Sequence, residues 1–421
     1  MNFGSKLSLS RKERCPGGVK AERTHYSVNY NPSTLQSGSM LLVKIPSLAP
    51  NRLLVPGSMK LVFNINITGD TNSWFVNNLA ANLITRVEIK WGTKSLLNIN
   101  NFDVLQTYKD LWLTSYQRLN MVRRGIQTPS LSKLRSGASS AVTTDANENR
   151  LSRIFGNKYE IPLDFTFLTD QHPFYPHIYK EAIEIDLYFQ KASLVINSGT
   201  TTVVTDYNLS NICLEYDSVY EPQLANQIAQ MSDSTFGITY FYDYISFIGM
   251  NPINQSDLSF TLTIQDPRKS VRGILMLFTQ PPATANRSPE NYFNPEITNV
   301  DITIDGVTNK IHVQGFKEDQ MYLEARKLFL NEYRKLDDHS SVTLPNFYGT
   351  STISTYSLWI DTRSTEDNKL HGSGMAIPNG SNVALKFTKN NTGTGTLNVY
   401  TYLIADAQFT LTNRFATDPQ Y

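Results

Sequence analysis

From about residue 40 onward, apolar and polar side chains alternate in short runs. Leu61, Phe63, Ile65 and Ile67 interleave with Lys60, Asn64, Asn66 and Thr68, the period-2 pattern of a strand with one buried face. Val87, Ile89 and Trp91 repeat it up to Gly92, and Ile183, Ile185, Leu187 and Phe189 repeat it against Glu184, Asp186 and Gln190. Val300, Ile302 and Ile304 lead into an Asp305-Gly306 turn followed by Ile311 and Val313. Leu397, Val399, Leu403, Phe409 and Leu411 close the chain. Many short alternating strands between Gly, Pro, Asn and Ser clusters predict antiparallel β-sandwich.

Two segments depart from this rhythm. Phe102, Leu105, Tyr108, Trp112, Tyr116 and Leu119 recur at helical spacing across 102–119. Met321, Ala325, Leu328, Phe329 and Leu336 do the same across 319–336, with Glu324, Arg326, Lys327 and Glu332 on a solvated face. Each helix is expected over the edge of a sandwich with its apolar stripe down, since such aromatic stripes serve packing far more often than cofactors.

Both helices belong to a duplicated unit. Ile84-Thr85-Arg86-Val87-Glu88-Ile89, a turn, a strand and a helix ending Tyr116-Gln117-Arg118-Leu119 match a second copy. That copy starts Ile297-Thr298-Asn299-Val300-Asp301-Ile302 and ends Tyr333-Arg334-Lys335-Leu336. The starts lie 213 residues apart and the ends 217. So long a period marks whole domains, not a solenoid. The predicted fold is all-β: two tandem eight-stranded antiparallel jelly-roll β-sandwiches, each with a short helix in an inter-strand connection. The expected divisions are a basic flexible tail over 1–25, a first jelly-roll domain over 26–233 and a second over 234–421. The first domain carries a long loop at 122–157, poor in large apolar residues, and a connector with a short helix at 217–233.

Composition agrees and narrows the chemistry. The 421 residues leave room for two or three domains, and 22 Tyr with 21 Phe suit strand cores. A net charge of +1 with 18% charged residues excludes a global field for nucleic acid or acidic membrane. Only the tail is basic, through Lys6, Arg11, Lys12, Arg14, Lys20 and Arg23. It suits an interior next to nucleic acid, a tie between subunits, or a solvated end with no partner. Cys15 and Cys213 are too few for a disulfide framework, and Cys213, in the run Ile212, Leu214, Tyr216, reads as a buried thiol. With neither a signal-peptide core nor a run long enough to span a bilayer, the expectation is a protein made and kept inside a cell. Asn66 and Asn390 head Asn-x-Thr sequences that carry no weight without export.

Catalytic patterns are missing. The histidines are His25, His172, His177, His312, His339 and His371, with no His-x-His pair of the kind a bicupin metal enzyme needs. His172 and His177 bracket a rigid Pro173-Phe174-Tyr175-Pro176. There is no P-loop, nucleophile elbow, Cys-x-x-Cys or dinucleotide fingerprint, and Gly372-Ser373-Gly374 reads as a turn. Asp337-Asp338, and Asp361 with Glu366, could serve a glycosidase but look like solvated loop acids. The sequence predicts no catalytic, cofactor-binding or metal-binding residue. An enzyme on a double jelly roll and a carbohydrate-binding module stay open as alternatives.

Several runs then resemble the double jelly-roll major capsid proteins of the polinton, adintovirus and virophage group of icosahedral DNA viruses, relatives of adenovirus hexon. They are Ile161-Pro162-Leu163-Asp164-Phe165 with Pro173-Phe174-Tyr175-Pro176, Tyr207-Asn208-Leu209-Ser210-Asn211-Ile212 running into Leu214-Glu215-Tyr216-Asp217, and Leu358-Trp359-Ile360-Asp361-Thr362-Arg363 leading to Leu370-His371-Gly372-Ser373-Gly374. Ile404-Ala405-Asp406-Ala407-Gln408 and Tyr421 complete the set. The resemblance spans 60–421, without the large tower insertions of hexon. It implies a non-enzymatic virion protein whose homotrimers of six upright rolls tile a shell, with neighbouring trimers, penton and minor capsid proteins as partners. The basic tail would then face genome or an inner membrane.

Overall fold

The structure is a computed structural model describing residues 22–29, 34–141, 143–164, 174–197, 205–282, 287–309, 313–330, 340–349, 354–363 and 374–421. Eight strands of the first part are β1 (Thr34–Gln36), β2 (Met40–Lys44), β3 (Lys60–Thr68), β4 (Ile84–Trp91), β5 (Lys94–Asn100), β6 (Lys158–Pro162), β7 (Ile183–Phe189) and β8 (Asp206–Tyr220). They form two antiparallel sheets ordered β1-β8-β3-β6 and β2-β7-β4-β5. Eight of the second part are β9 (Ile238–Asn254), β10 (Ser259–Ile264), β11 (Arg268–Thr279), β12 (Ile297–Ile304), β13 (Val307–Thr308), β14 (Ser357–Asp361), β15 (Val383–Lys389) and β16 (Thr396–Thr412). Their sheets run β9-β16-β11-β14 and β10-β15-β12-β13. Each strand thus occupies the place of the strand eight numbers before it. Two facing four-stranded sheets in this order make a jelly roll, and the chain holds two.

Alternation explains the first roll. Leu61, Phe63 and Ile65 face inward with Leu209 and Leu214, while Lys60 reaches Glu160 at 3.2 Å and Glu215 at 3.3 Å on the outer face. The second roll differs. Ile274, Leu275, Met276, Leu277 and Phe278 are all fully buried, and so is every residue of β14. A sheet buried on both faces reads as a continuous apolar run. Here the first roll covers its outer face.

Among the described residues, six helices of five residues or more decorate the rolls: α1 (Phe102–Leu111), α2 (Ser115–Leu119), α3 (Pro129–Ser136), α4 (Ala146–Phe155), α5 (Pro222–Ser232) and α6 (Glu318–Leu330). α1 and α6 each follow the fifth strand of their roll, as the duplication requires. The single helix expected over 102–119 is broken, however. Thr114 accepts from Gln117 N and Gln117 reaches back to Thr114 N, a capping box that starts α2 and leaves Tyr116 and Leu119 exposed. Leu336 and the rest of 331–339 lie outside the described residues.

Other expectations need correction. Segment 122–157 is no plain loop. Thr128 caps α3 with Pro129 at its first position, Asp145 caps α4, and buried Arg135 ties the excursion together. Its guanidinium donates to Val122 O, Gly156 O and Lys158 O at 2.6, 2.9 and 2.7 Å and lies 3.7 Å from the Tyr159 ring. The connector expected from 217 starts only after Tyr220, because β8 continues that far. Asp305 and Gly306 both have positive φ and make the expected tight hairpin, but the returning strand stops at Thr308. Ile311 lies outside the described residues and Val313 is exposed. Cys213 is half-buried, since alternation turns Ile212 and Leu214 inward and its own thiol toward Asn29 on the opposite face.

The tail also ends sooner than residue 25. Glu22–Asn29 is a strand that continues the β1 edge along β8, with Tyr26 opposite Tyr216. Arg23 and His25 both reach Asp217, His25 Nδ1 at 2.8 Å. Partial burial raises that carboxyl, but these two contacts outweigh it and hold Asp217 below its ordinary value. Lys6, Arg11, Lys12, Arg14 and Lys20 lie outside the described residues.

Gly273, in β11, faces Trp359 so closely that a Cβ would come within 2.4 Å of the indole and 2.5 Å of Ile360 O. Gly273→Ala is expected to cost about 3 kcal/mol through overpacking, read as a lower denaturant midpoint at unchanged m-value.

Candidate functional site

The feature with most buried chemistry is the seam between the rolls. On the first roll, Trp91 ends β4, Asn101 turns the chain into α1 with φ of 50°, and α1 carries Tyr108 toward the seam. On the second, β9 and β16 present Tyr240, Tyr242, Tyr402 and Phe409. Trp91 meets Phe409 at 5.3 Å between ring centroids, and Phe174 meets Tyr240 at 5.3 Å. Trp112, just beyond α1, stacks on Phe329 of α6 at 5.3 Å and 11°. The apolar stripes of the two helices therefore face each other, where the sequence placed each on its own sandwich.

Tyrosine hydroxyls stitch this seam. Tyr242 donates to Leu96 O at 2.8 Å, Tyr292 to Val104 O at 2.9 Å and Tyr402 to Asn101 O at 2.7 Å. Tyr108 Oη lies 2.7 Å from both Thr355 O and Ser357 Oγ. Its one proton goes to the carbonyl, and the serine hydroxyl supplies the other bond. Burial pushes all four phenols above their ordinary value, Tyr108, Tyr292 and Tyr402 being wholly enclosed. They stay protonated, and therefore donors, at any physiological pH. Around them, Asn77 and Arg118 reach Glu290, and Lys94 reaches Ala416 O.

One carboxylate is out of place. Asp103, in the first turn of α1, is 5% exposed. Its Oδ2 accepts from Gln190 Nε2 at 3.0 Å, while Oδ1 has no partner among the described residues. It borders a cavity of about 240 Å³ with Arg287 of the second roll, whose Nη1 is likewise buried without a partner. Burial pushes Asp103 up to about 6, with Gln190 and Arg287 offsetting part of that rise. A second cavity of about 280 Å³ is lined by Leu97, Leu105, Leu275 and Ile404 together with the charged Lys109, Asp164, Asp243 and Arg272. Neither brings a nucleophile and a base together.

The residues weighed for chemistry stay scattered. Among the described residues no three His, Cys, Asp or Glu side chains gather to hold a metal. His177 Nδ1 lies 3.1 Å from Leu48 O, and His25 pairs with Asp217. Asp361 is bound by Arg363, two residues on, through Nε at 3.0 Å. Gly374 sits where a Cβ would strike Val271 O at 2.1 Å, a close strand approach and no phosphate cradle. His172, His312, His339, His371, Asp337, Asp338 and Glu366 lie outside the described residues.

No protein-family model matches the chain, and no curated protein does. Solved structures do. The Faustovirus major capsid protein is 8% identical with a TM-score of 0.57, over 97% of this chain and 97% of that one. The mavirus major capsid protein is 12% identical with a TM-score of 0.52, over 98% and 93%. A chain of the Sputnik virophage is 12% identical with a TM-score of 0.57, over 96% and 90%. The chain has the double jelly-roll fold. The alignments run along nearly the whole length and so cover both rolls.

Two outcomes follow from the seam. Tyr402→Phe leaves Asn101 O with only the longer bond from Leu105 N, at 3.4 Å, and is expected to cost about 1 kcal/mol, seen as a lower thermal midpoint. For Asp103, the folded chain holds the proton more tightly than an unfolded one, where the ordinary value is 3.8. Its contribution is most favourable below that value, declines as pH rises to about 6, and bears the full cost above. Asp103→Asn should therefore stabilise the protein at pH 8 by about 3 kcal/mol at most and flatten the melting-temperature profile across this window.

Proposed function

We propose that the chain is a major capsid protein, three copies of which form a pseudo-hexameric trimer that tiles an icosahedral virus shell. The observation that carries this reading is one eight-strand order used twice and locked into a single block. A chain of two like rolls lets three copies imitate a sixfold object, and heterologous edges between such objects extend into sheets. Capsid proteins at 8–12% identity with the same fold along their whole length support it. So does the aromatic and phenol-bonded seam that joins the two rolls.

On this reading the rolls divide as 26–233 and 234–421, and the protein resides in the virion. Neighbouring trimers, penton proteins and minor capsid proteins are its partners. Lys6, Arg11, Lys12, Arg14, Lys20 and Arg23 form the basic patch for genome or an inner membrane, with Arg23 already fixed to Asp217 at the root of the tail.

Light scattering with negative-stain imaging tests the proposal. The expected particle has three times the 47.6 kDa chain mass and a hexagonal outline, or is a closed shell. A strictly monomeric protein at all concentrations and salts would sink it.

A further inference from the structure

Aromatic rings fill the seam at the far end of α1. Trp112 stacks on Phe329, and Tyr108 meets the same ring edge-on at 5.4 Å between centroids. One turn back, at Leu105, aliphatic side chains take over and the cavity of about 280 Å³ opens. Leu97 and Ile99 of β5 and Leu105 of α1 line it from the first roll. Ile245 of β9, Leu275 of β11 and Ile404 of β16 line it from the second. Five of these six are buried and Ile245 is half-buried. Across such a gap aliphatic groups forgo the dispersion contacts of a packed core, and water finds no bonding partner on a wall of Leu and Ile. An apolar cavity of about 150 Å³ stays dry and takes up benzene, so this one has room for a molecule about twice that size.

Charge stands at the mouth, and it is already balanced. Lys109 and Asp164 are exposed, and Arg272 and Asp243 are partly so. Arg272 is bound to Asp243, and its Nε lies 3.9 Å from Asp406, whose other oxygen accepts from Ser270 at 2.6 Å. Gln106, the remaining polar group of the lining, donates to Asp110 at 2.9 Å. Two cations thus meet two acids at the rim, with a third acid beside it. A carboxylate or phosphate entering here would give up its hydration for no net positive field. An ammonium would compete with Arg272 and Lys109 for the same carboxylates.

We propose that this cavity is a binding site for an uncharged hydrophobic small molecule of about ten to twelve heavy atoms, held by both rolls at once. The site goes beyond the capsid reading and does not depend on it, since both walls belong to one chain. An occupant restores contacts across the seam, and by binding the folded chain alone it raises the melting temperature.

Isothermal titration calorimetry on the full-length chain tests the site. The probes are n-octanol, octanoate and octylammonium, which share a chain length and differ in charge. The expected result is saturable n-octanol binding at one molecule per chain, about tenfold or more tighter than either ion. At about ten times the dissociation constant the melting temperature should rise by about 1–3 °C. Ile245→Trp fills the cavity from its half-buried edge and should weaken n-octanol by about tenfold or more. Ile404→Phe fills it from β16 and gives a second reading where the first variant does not fold. Absence of saturable n-octanol binding, or undiminished binding by a folded cavity-filled variant, would overturn the site. Octanoate or octylammonium binding as tightly as n-octanol would overturn the uncharged occupant.

Discussion

Four phenol-to-carbonyl bonds cross the boundary between the rolls and hold this molecule in one piece. Their acceptors, at Leu96, Asn101, Val104 and Thr355, lie among buried aromatic rings, and a buried acceptor short of donors is costly. Tyrosine answers this with a flat apolar ring that fills the gap and a single donor at its tip. A salt bridge in the same position would have to repay the dehydration of two charges. The boundary also carries charge: Arg118 pairs with Glu290, and Asp103 and Arg287, from the two rolls, share a small cavity without completing each other's bonds. The phenols do not titrate in the physiological range, whereas Asp103 does.

Duplication supplied the plan, and divergence supplied the asymmetry. The first roll carries an excursion of two helices around Arg135 between its fifth and sixth strands. The second has a two-residue fifth strand and a sheet buried on both faces. These differences make the rolls inequivalent partners.

Much of this was legible in the residues. Period-2 alternation located the strands, the Asp305-Gly306 hairpin was read correctly, and the repeated β–turn–β–α unit announced the second roll. The seam was not legible. A stripe such as Tyr108 and Trp112 reveals that a face is buried but not what buries it. The run from Ile274 to Phe278 did hold the missing signal, since an unbroken apolar stretch marks a strand covered on both sides. Cys213 was misassigned although its own alternation pointed outward. In 122–157, polar composition obscured two capping signals, Thr128-Pro129 and Asp145, that were present all along. Of the acids and histidines weighed, His25, His177 and Asp361 each have a local partner, which their spacing in the sequence did not reveal.

Only seventeen residues, 221–237, join the rolls, eleven of them in helix Pro222–Ser232. On so short a leash the local concentration of one roll around the other is set by geometry, not by how much protein a cell has made. Closing the tyrosine boundary is then a first-order event that proceeds at any dilution. Encounters between separate molecules, by contrast, must wait for their numbers to grow, so each chain is already one block before it meets another.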